Sequence, residues 1–419
     1  MSKYITTEKL CHKLWIGLVT TMTKHYQDNG DILIRNSDIK ECKLVESGIY
    51  LNKSFSNQHE GRKLQEDDVV TVHTGDVGTS AKISGKFISS HGFATINSRL
   101  NTELIDPDYY CRYLNSIFFK QQIYQVITGD GRDNLNLNDF AKLKVRVPEL
   151  PTQKRIAKIL STVDGQIEKT EAIIAKYQAI KQGMLHDLFT RGIDLSTGKL
   201  RPTPEQAPEL YKSSPLGLIP KSWDIEELAR CCISNGKYGI NAAAVDYSND
   251  LPTYLRITDI SDNGEFISLD KKSVNNPLSS NYILSSGDIV FARTGASVGK
   301  TYLYNPDDGK LIYAGFLIKF SPKEDKILPK FLKLTTELPY YKNWVIKTSM
   351  RSGQPGINGQ EYGYFEIPIP QIEEQALICT KIKLLENLYI SESKRLTKLE
   401  ELKQGLLSKL LKQEKNYGV

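Results

Sequence analysis

The chain has 419 residues, of which 25% are charged and 40% are hydrophobic, an ordinary composition for a globular protein with two or three domains. Its 55 Lys and Arg against 49 Asp and Glu give a net charge of +6, a mild excess that suits an anionic partner without requiring one. The six cysteines form no C-x-x-C pair, so neither a zinc site nor a disulfide framework is predicted. No window holds eighteen apolar residues, and we expect a cytoplasmic protein that does not enter a membrane.

Residues 1–148 predict a mixed α/β domain built from short elements. Runs of β-branched residues that end in turn residues predict strands within Asp31–Ile39 and Asp68–Gly75, and Pro107–Tyr124 predicts a helix rich in aromatic side chains. Apolar and basic residues alternate at the end of this domain. This period of two predicts a half-buried strand, with a basic outer face formed by Lys142, Lys144 and Arg146.

A long helix is predicted over Gln153–Phe189, because its apolar residues recur in steps of three or four, or in the sum of the two, and so share one seam. A helix of this length would span roughly 55 Å, comparable to about 16 base pairs of B-DNA. The helix cannot cover this seam by itself, so a partner helix is required. The seam consists of Ile156, Leu160, Val163, Ile167, Ile174, Tyr177, Met184 and Leu188.

After this helix the composition changes. Asp194–Pro220 contains five prolines and few apolar residues, which predicts an extended linker outside any core. The first domain is then repeated: Leu255–Ile260 matches Ile34–Ile39 and Gly287–Gly295 matches Asp67–Gly75, at offsets of 221 and 220 residues. A repeat of this period indicates a duplicated domain.

The long helix is repeated as well, since Gln375–Leu411 matches Gln153–Phe189 at a constant offset of 222 residues without a gap. Each helix is therefore the natural partner of the other. Two unrelated helices that share a spacing by chance are disfavoured, because the domains before them also repeat. The second seam consists of Ile378, Ile382, Leu385, Tyr389, Leu396, Leu399, Leu406 and Leu410.

This pattern predicts an α+β fold with two tandem mixed α/β domains separated by two long antiparallel coiled-coil helices, and with pseudo-two-fold symmetry. The predicted boundaries are 1–148 for the first domain, 149–192 for the central helix, 193–213 for the linker, 214–370 for the second domain and 371–415 for the C-terminal helix. Two globular domains on a helical spacer suit a long, two-part ligand, and DNA fits that description.

Four segments resemble the specificity subunit of type I restriction-modification systems. They are Ser214–Trp223, Gly287–Lys300, Ile367–Gln375 and Lys403–Leu407, and with the two half-repeats the resemblance covers nearly the whole chain. It implies a non-catalytic subunit whose two target-recognition domains read an asymmetric, two-part sequence in double-stranded DNA. The first domain departs from the pattern, because it lacks a counterpart of the Ser214–Trp223 segment.

The resemblance also implies partners. Two methyltransferase subunits would dock on the helices, and motor-nuclease subunits would join them for restriction. S-adenosylmethionine, ATP and Mg²⁺ would belong to those partners, so that this chain would need no cofactor and no metal.

The expected DNA contacts lie in polar and Gly-rich loops. One loop follows a strand that ends at Arg293, and two others, Thr128–Asn136 and Met350–Asn358, each precede the last strand of a domain. Arginine suits guanine edges and phosphates, side-chain amides suit adenine, and hydroxyls suit either. An exposed basic turn that contacts no DNA, and turn capping by Asn136 and Asn358, remain alternatives. The candidate DNA-binding residues are Arg35, Asn36, Thr74, Lys82, Arg132, Asn134, Asn136, Arg256, Arg293, Thr294, Ser297, Lys300, Arg351, Gln354 and Asn358.

Two other kinds of function are weaker fits. Gly295–Thr301 resembles a phosphate-binding loop, but Thr294 stands where that loop needs its first glycine. A stand-alone DNA methyltransferase or nuclease is disfavoured, because we find neither the Asn/Asp-Pro-Pro-aromatic tetrapeptide of such methyltransferases nor a convincing nuclease constellation. Glu373 and Glu374 are instead expected to favour a helix start. A structural coiled-coil adaptor remains the other alternative, and it would bind DNA without sequence preference.

Overall fold

The computed structural model describes residues 3–127, 133–350 and 354–412. The chain forms two compact units. Unit 1 comprises Met1–Ala172 and Ser393–Val419, and unit 2 comprises Ile173–Glu392. Each of the two long helices therefore contributes one part to each unit.

Unit 1 contains short strands and helices that precede the first long helix. Its described strands are β1 (Lys3–Thr6), β2 (Cys11–Ile16), β3 (Tyr26–Gln27), β4 (Asp31–Ile34), β5 (Ile39–Lys40), β6 (Lys43–Leu44), β7 (Tyr50–Leu51), β8 (Val69–Val72), β9 (Ser80–Lys82), β10 (His91–Gly92), β11 (Thr95–Leu100) and β12 (Lys144–Val147). Its described helices are α1 (Lys53–Gln58), α2 (Pro107–Leu114), α3 (Ile117–Ile123), α4 (Leu137–Lys142) and the first part of α5 (Leu150–Thr190).

The globular part of unit 1 contains two four-stranded sheets, with the orders β2-β11-β8-β9 and β10-β4-β7-β3, while β1 pairs with β12. The main core packs α2, α3 and α4 against the start of α5. Tyr109, Tyr113, Phe119 and Phe140 form a chain of aromatic contacts with ring centroids about 6 Å apart. These rings share one buried cluster with Leu160 of α5, so the helix and the domain have a common core.

Unit 2 repeats this arrangement after two additional hairpins. Its described strands are β13 (Ile193–Asp194), β14 (Lys199–Leu200), β15 (Tyr211–Ser214), β16 (Gly217–Pro220), β17 (Asp224–Glu227), β18 (Lys237–Tyr238), β19 (Ala244–Asp246), β20 (Thr253–Leu255), β21 (Lys272–Val274), β22 (Ile289–Ala292), β23 (Thr301–Leu303), β24 (Leu311–Tyr313), β25 (Leu317–Phe320) and β26 (Glu366–Ile369). Its described helices are α6 (Leu228–Cys231), α7 (Pro329–Thr335), α8 (Pro339–Ser349), α9 (Gly359–Gly363) and the first part of α10 (Ile372–Leu411).

The sheet topology confirms the predicted duplication. In unit 2 the sheets have the orders β18-β25-β22-β23 and β19-β21-β20-β24, and β17 pairs with β26 as β1 pairs with β12. The antiparallel pair β22–β23 corresponds to β8–β9. Among the described strands, each unit also has a parallel pair at the equivalent place, β4 with β10 and β20 with β24.

The two long helices run antiparallel within each unit. In unit 1, Leu411 near the end of α10 shares a buried cluster with Ile156 and Leu160 near the start of α5. In unit 2, Ile378 near the start of α10 shares one with Leu188 near the end of α5. All sixteen predicted seam residues are buried or half-buried, which confirms the helix prediction.

A buried glutamine fixes the first turn of each long helix to its domain. Gln153 accepts a hydrogen bond from the backbone N–H of Asp106 at 2.8 Å and donates to the carbonyls of Leu104 and Pro148. Its counterpart Gln375 accepts from Leu328 and donates to two carbonyls in the same way. A buried amide is stable only when it is hydrogen-bonded, so this pattern explains why glutamine occupies both positions.

The structure corrects three local predictions. Pro107–Tyr124 is not one helix, because Ser116 caps a new one by accepting a hydrogen bond from the backbone N–H of Phe119. Arg146 does not lie on an exposed basic face: it is buried, and its guanidinium donates to the carbonyl of Leu410 at 3.1 Å. The last carbonyls of a helix lack partners within the helix, and this contact satisfies one of them.

The predicted linker is also folded. Residues 193–220 form the hairpins β13–β14 and β15–β16, and Ile193, Tyr211 and Ile219 are buried. The buried carboxylate of Glu374 holds this segment, because it accepts hydrogen bonds from Arg201 at 2.5 Å and from the indole N–H of Trp223 at 3.1 Å. Glu374 thus stands in the first turn of α10, as predicted, but its carboxylate also binds a distant segment.

Candidate nucleic-acid interface

Two of the loops predicted to contact DNA lie side by side in unit 2. One loop connects β22 to β23, and the other precedes α9. The backbone N–H of Gly295 donates to the carbonyl of Pro355 at 3.0 Å, and that of Ile357 donates to the carbonyl of Arg293 at 2.9 Å. We call this pair, residues 293–300 and 354–358, the unit 2 loop pair. It brings Arg293, Thr294, Ser297, Lys300, Gln354 and Asn358 into one region.

Three tyrosines contact the unit 2 loop pair. Tyr362 donates its hydroxyl proton to the carbonyl of Ala292 at 2.8 Å and accepts from the N–H of Gly299 at 3.1 Å. Tyr341 donates to the carbonyl of Gly299 at 2.9 Å. The guanidinium of Arg293 lies over the ring of Tyr238, 4.9 Å from its centroid. This cation–π contact orients the arginine without neutralising its charge.

Equivalent hydrogen bonds form a unit 1 loop pair, residues 73–80 and 133–136. Gly75 N–H donates to the carbonyl of Asp133 at 3.2 Å, and Leu135 N–H donates to the carbonyl of His73 at 3.0 Å. The structure therefore brings Thr74 and Asn134 together, with 3.4 Å between their side-chain oxygens. Asn136 follows at the start of α4 and is exposed.

Several predicted residues also have partners inside the domain. Arg35 contacts the buried Asp38 at 3.4 Å, and its counterpart Arg256 contacts the buried Asp259 at 2.6 Å. Lys82 pairs with Asp67 and Asp108, each at 3.0 Å, and Lys300 pairs with Asp262 at 2.7 Å. Asn36 lies beside Arg35, and its buried Oδ1 has no hydrogen-bond donor among the described residues.

The side-chain amides of unit 2 are placed differently from each other. Asn358 caps α9, because its Oδ1 accepts from the N–H of Glu361 at 2.9 Å, as the capping alternative predicts. Gln354 is exposed, and its Nε2 lies close to Gly295. Arg132 and Arg351 lie outside the described residues. Their assignment to DNA, like that of the other candidates, stays a prediction.

Sequence reasoning missed the supporting residues. Tyr238, Tyr341 and Tyr362 come from three different elements, and no linear spacing connects them. Their contacts with the loop pair are the kind of support that a base-reading side chain would need in order to be held in a defined position.

The Gly295–Thr301 segment is a turn between two strands. Thr301 begins β23, whereas a phosphate-binding loop leads into a helix whose N-terminus faces the phosphate. Among residues 3–127, 133–350 and 354–412, no three His, Cys, Asp or Glu side chains are grouped as a metal site would require. Within the same ranges, no helix combines the length and apolar character of a membrane span.

Two stretches of the chain, residues 19–178 and 229–403, match the family model described as type I restriction modification DNA specificity domain. Among similar proteins, the type I restriction enzyme MjaVIII specificity subunit of Methanocaldococcus jannaschii is 26% identical over 361 residues, covering 83% of this chain and 79% of that protein. The StySPI specificity subunit of Salmonella potsdam is 23% identical over 414 residues, covering 93% and 83% of the two chains.

A solved structure shows the same fold. The crystal structure of the S subunit of a type I restriction-modification system from M. genitalium is similar with a TM-score of 0.60 at 15% sequence identity, covering 99% of this chain and 97% of that one. This likeness confirms the predicted α+β class.

Proposed function

Because the chain belongs to the family of type I restriction modification DNA specificity domains, we propose that it is the subunit that recognises the DNA target of a type I restriction-modification complex. The observation that carries this proposal is the repeated loop pair. Both units hold two polar loops together by equivalent backbone hydrogen bonds, while the loop sequences differ, with Thr-Gly-Asp-Val in unit 1 and Thr-Gly-Ala-Ser in unit 2. A shared frame with different side chains suits two domains that read two different half-sites.

In unit 2, Arg293 is the residue best placed to read a base. Its backbone belongs to the hydrogen-bonded loop pair, and its guanidinium lies over the ring of Tyr238. Guanidinium groups bind the O6 and N7 edge of guanine with two hydrogen bonds. Gln354, exposed on the neighbouring loop, would contribute an amide of the kind that pairs with adenine.

Arg256, Lys82 and Lys300 fit a different role. Each already forms an ion pair inside its domain. We therefore expect its charge to act on DNA through the electrostatic field of the domain. Such residues contribute to phosphate attraction and to the salt dependence of binding rather than to base discrimination.

The helices supply a surface for partners. Leu377, Leu384 and Leu388 recur along α10 within unit 2 and are 37%, 63% and 49% exposed. Apolar side chains repeated on one exposed helix suit a protein partner, and we assign this surface to a methyltransferase subunit. Two such subunits, and motor-nuclease subunits in a restriction complex, would carry S-adenosylmethionine, ATP and Mg²⁺. The complex would act in the cytoplasm, where its DNA substrate lies.

Methylome sequencing of a host with and without the gene for this chain tests the proposal. We expect adenine methylation at one asymmetric, two-part sequence to be lost when the chain is absent and restored when it is supplied. Methylation that persists unchanged without the chain would contradict the proposal. DNA binding by the chain and its methyltransferase without any sequence preference would favour the structural adaptor instead.

A further inference from the structure

Two cysteines of unit 1 lie together at a hairpin. Cys42 stands in the two-residue turn between β5 and β6, and Cys111 is buried in α2. The two thiols lie close together, because Asn115 contacts both, with its Nδ2 at 3.5 Å from the sulfur of Cys42 and at 3.9 Å from that of Cys111.

The carbonyl of Ser80 fixes the same pair. It accepts a hydrogen bond from the backbone N–H of Cys42 at 2.9 Å and from the thiol of Cys111 at 3.5 Å. Cys42 also has a φ of +56°, in a turn position where glycine or asparagine is usually favoured. The pair is therefore held by a defined set of contacts rather than by the accidental approach of two exposed side chains.

We expect the two thiols to differ in reactivity. The neighbouring thiol of Cys111 is the main cause that lowers the pKa of Cys42, and the charge of Arg112 lowers it further. The neighbouring thiol of Cys42, together with burial, raises the pKa of Cys111 well above its ordinary value. The thiolate is the nucleophilic form of cysteine, so Cys42 is the member of the pair that reacts first.

The other four cysteines provide a contrast within the same chain. Burial raises the pKa of Cys11 and Cys232 to about 12 and that of Cys231 and Cys379 to about 11. Cys42 is the one exposed cysteine of the chain. A reactive, accessible thiol beside a second thiol is the arrangement typical of reversible cysteine oxidation.

We propose that Cys42 and Cys111 form an oxidisable dithiol site, which a hydroperoxide converts to a disulfide. The Cys42 thiolate attacks one peroxide oxygen, the O–O bond breaks, and with hydrogen peroxide the leaving hydroxide takes up a proton as water. Cys42 is thereby oxidised to the sulfenic acid. The sulfur of Cys111 then attacks the sulfur of Cys42, and the S–O bond breaks. The hydroxyl group leaves with the Cys111 proton as a second water, and a dithiol reductant reverses the change.

The resulting bond would join the β5–β6 hairpin to α2. Neighbouring residues already connect this hairpin to other elements of unit 1, because Glu41 pairs with Lys120 of α3 at 2.6 Å and Lys43 pairs with Glu168 of α5 at 3.2 Å. In this bond the two sulfurs would lie about 2.05 Å apart.

Peptide mapping of the full-length chain tests the site. The protein is treated with hydrogen peroxide, its remaining thiols are alkylated with iodoacetamide, and it is digested without reductant. We expect a linked peptide pair that contains Cys42 and Cys111, is lighter by two hydrogen atoms than the two free peptides, and returns to two thiols with dithiothreitol. Two cysteines that both remain alkylated, or a disulfide between Cys42 residues of two copies, would overturn the proposal.

Two conservative variants separate the roles of the cysteines. C111S should stop at the sulfenic acid, which dimedone traps on Cys42, whereas C42S should leave Cys111 as an alkylatable thiol. Cys379 is the internal control, and Cys42 should lose its thiol about tenfold faster at low peroxide. Oxidation of Cys111 at the wild-type rate in C42S would show that Cys42 is not the thiol that reacts first.

Discussion

Asp164 of α5 and Glu386 of α10 occupy equivalent positions of the repeat, and each binds a lysine of the other long helix within its own unit. Lys403 Nζ lies 2.7 Å from Asp164 Oδ1, and Lys181 Nζ lies 2.9 Å from Glu386 Oε1. The two lysines are themselves equivalent. Each carboxylate also binds a cation of its recognition domain, since Arg112 lies 2.6 Å from Asp164 and Lys330 lies 2.8 Å from Glu386. The repeat thus preserves a three-membered ion-pair network that connects both helices and a domain, which we call the clasp.

The first prediction concerns this clasp. D164N should lower the free energy of unfolding by about 2 to 4 kcal/mol, because it leaves the nearly buried guanidinium of Arg112 without its carboxylate. E168Q is the matched control on the same helix, and it should cost less than about 1 kcal/mol because its pair with Lys43 is exposed. Denaturant unfolding followed by circular dichroism measures both, and equal losses in the two variants would contradict the assigned role of the clasp.

A second prediction uses the buried imidazole of His91. Burial is the main cause that lowers its pKa to about 4, and the charge of Lys63 adds to the effect. The unfolded chain, with an ordinary histidine pKa of about 6.5, therefore binds a proton first as the pH falls. The contribution of neutral His91 is complete above pH 6.5 and is lost progressively toward pH 4, by up to about 3 kcal/mol.

This pH effect is read as a difference between variants. The free energy of unfolding of H91Q should fall less steeply between pH 6.5 and pH 4 than that of the wild type, whereas H12Q, at an exposed position, should follow the wild type. Parallel curves for H91Q and the wild type over this range would show that His91 is not held neutral in the folded protein.

The third prediction tests the helix seam. Val163 is 8% exposed, so V163D would bury an unpaired carboxylate and should cost several kcal/mol. The adjacent Thr162 is exposed, and T162D places the same charge in water. The thermal unfolding temperature of V163D should therefore be clearly lower than that of T162D. Similar stability would indicate that this part of the seam is not covered by the second helix.

The sequence was most informative where apolar side chains recur with a local period. Leu160, Ile378 and Ile382 were predicted as seam residues because helical periodicity requires only nearby positions, and all three are fully buried. The duplication was predicted for a similar reason, since a repeat is visible without any knowledge of contacts. The loop pairs were predicted only in part, because Gly and polar residues indicate loops but do not show which loops share hydrogen bonds.

Residues with distant partners were predicted poorly. The alternation of apolar and basic residues predicted an exposed Arg146. Its partner is the carbonyl of Leu410, which no local pattern indicates. The proline-rich segment appeared extended because its anchor, Glu374, lies far along the chain from Arg201 and Trp223. Composition describes what a segment can bury by itself, and it cannot report a buried charge supplied by another element.

The fourth prediction concerns base reading by Arg293. R293A should weaken binding to the target by about 1 to 3 kcal/mol and relax the preference at one base position. R230A is the matched control, because Arg230 is an exposed arginine of α6 outside the loop pair. Binding of the assembled methyltransferase complex to a library of target variants measures both. An unchanged target preference in R293A would refute its assignment, and R351A would then test the neighbouring loop.

The central claim is that each recognition domain reads its own half of the target, and a domain graft tests it most directly. Residues 1–148 are replaced by the counterpart from a related specificity subunit, and the methylome of a host that expresses the chimera is sequenced. We predict that one half of the methylated sequence changes to the half read by the donor, while the other half, read by unit 2, is unchanged. A chimera that methylates DNA but alters both halves together would contradict two independent reading domains.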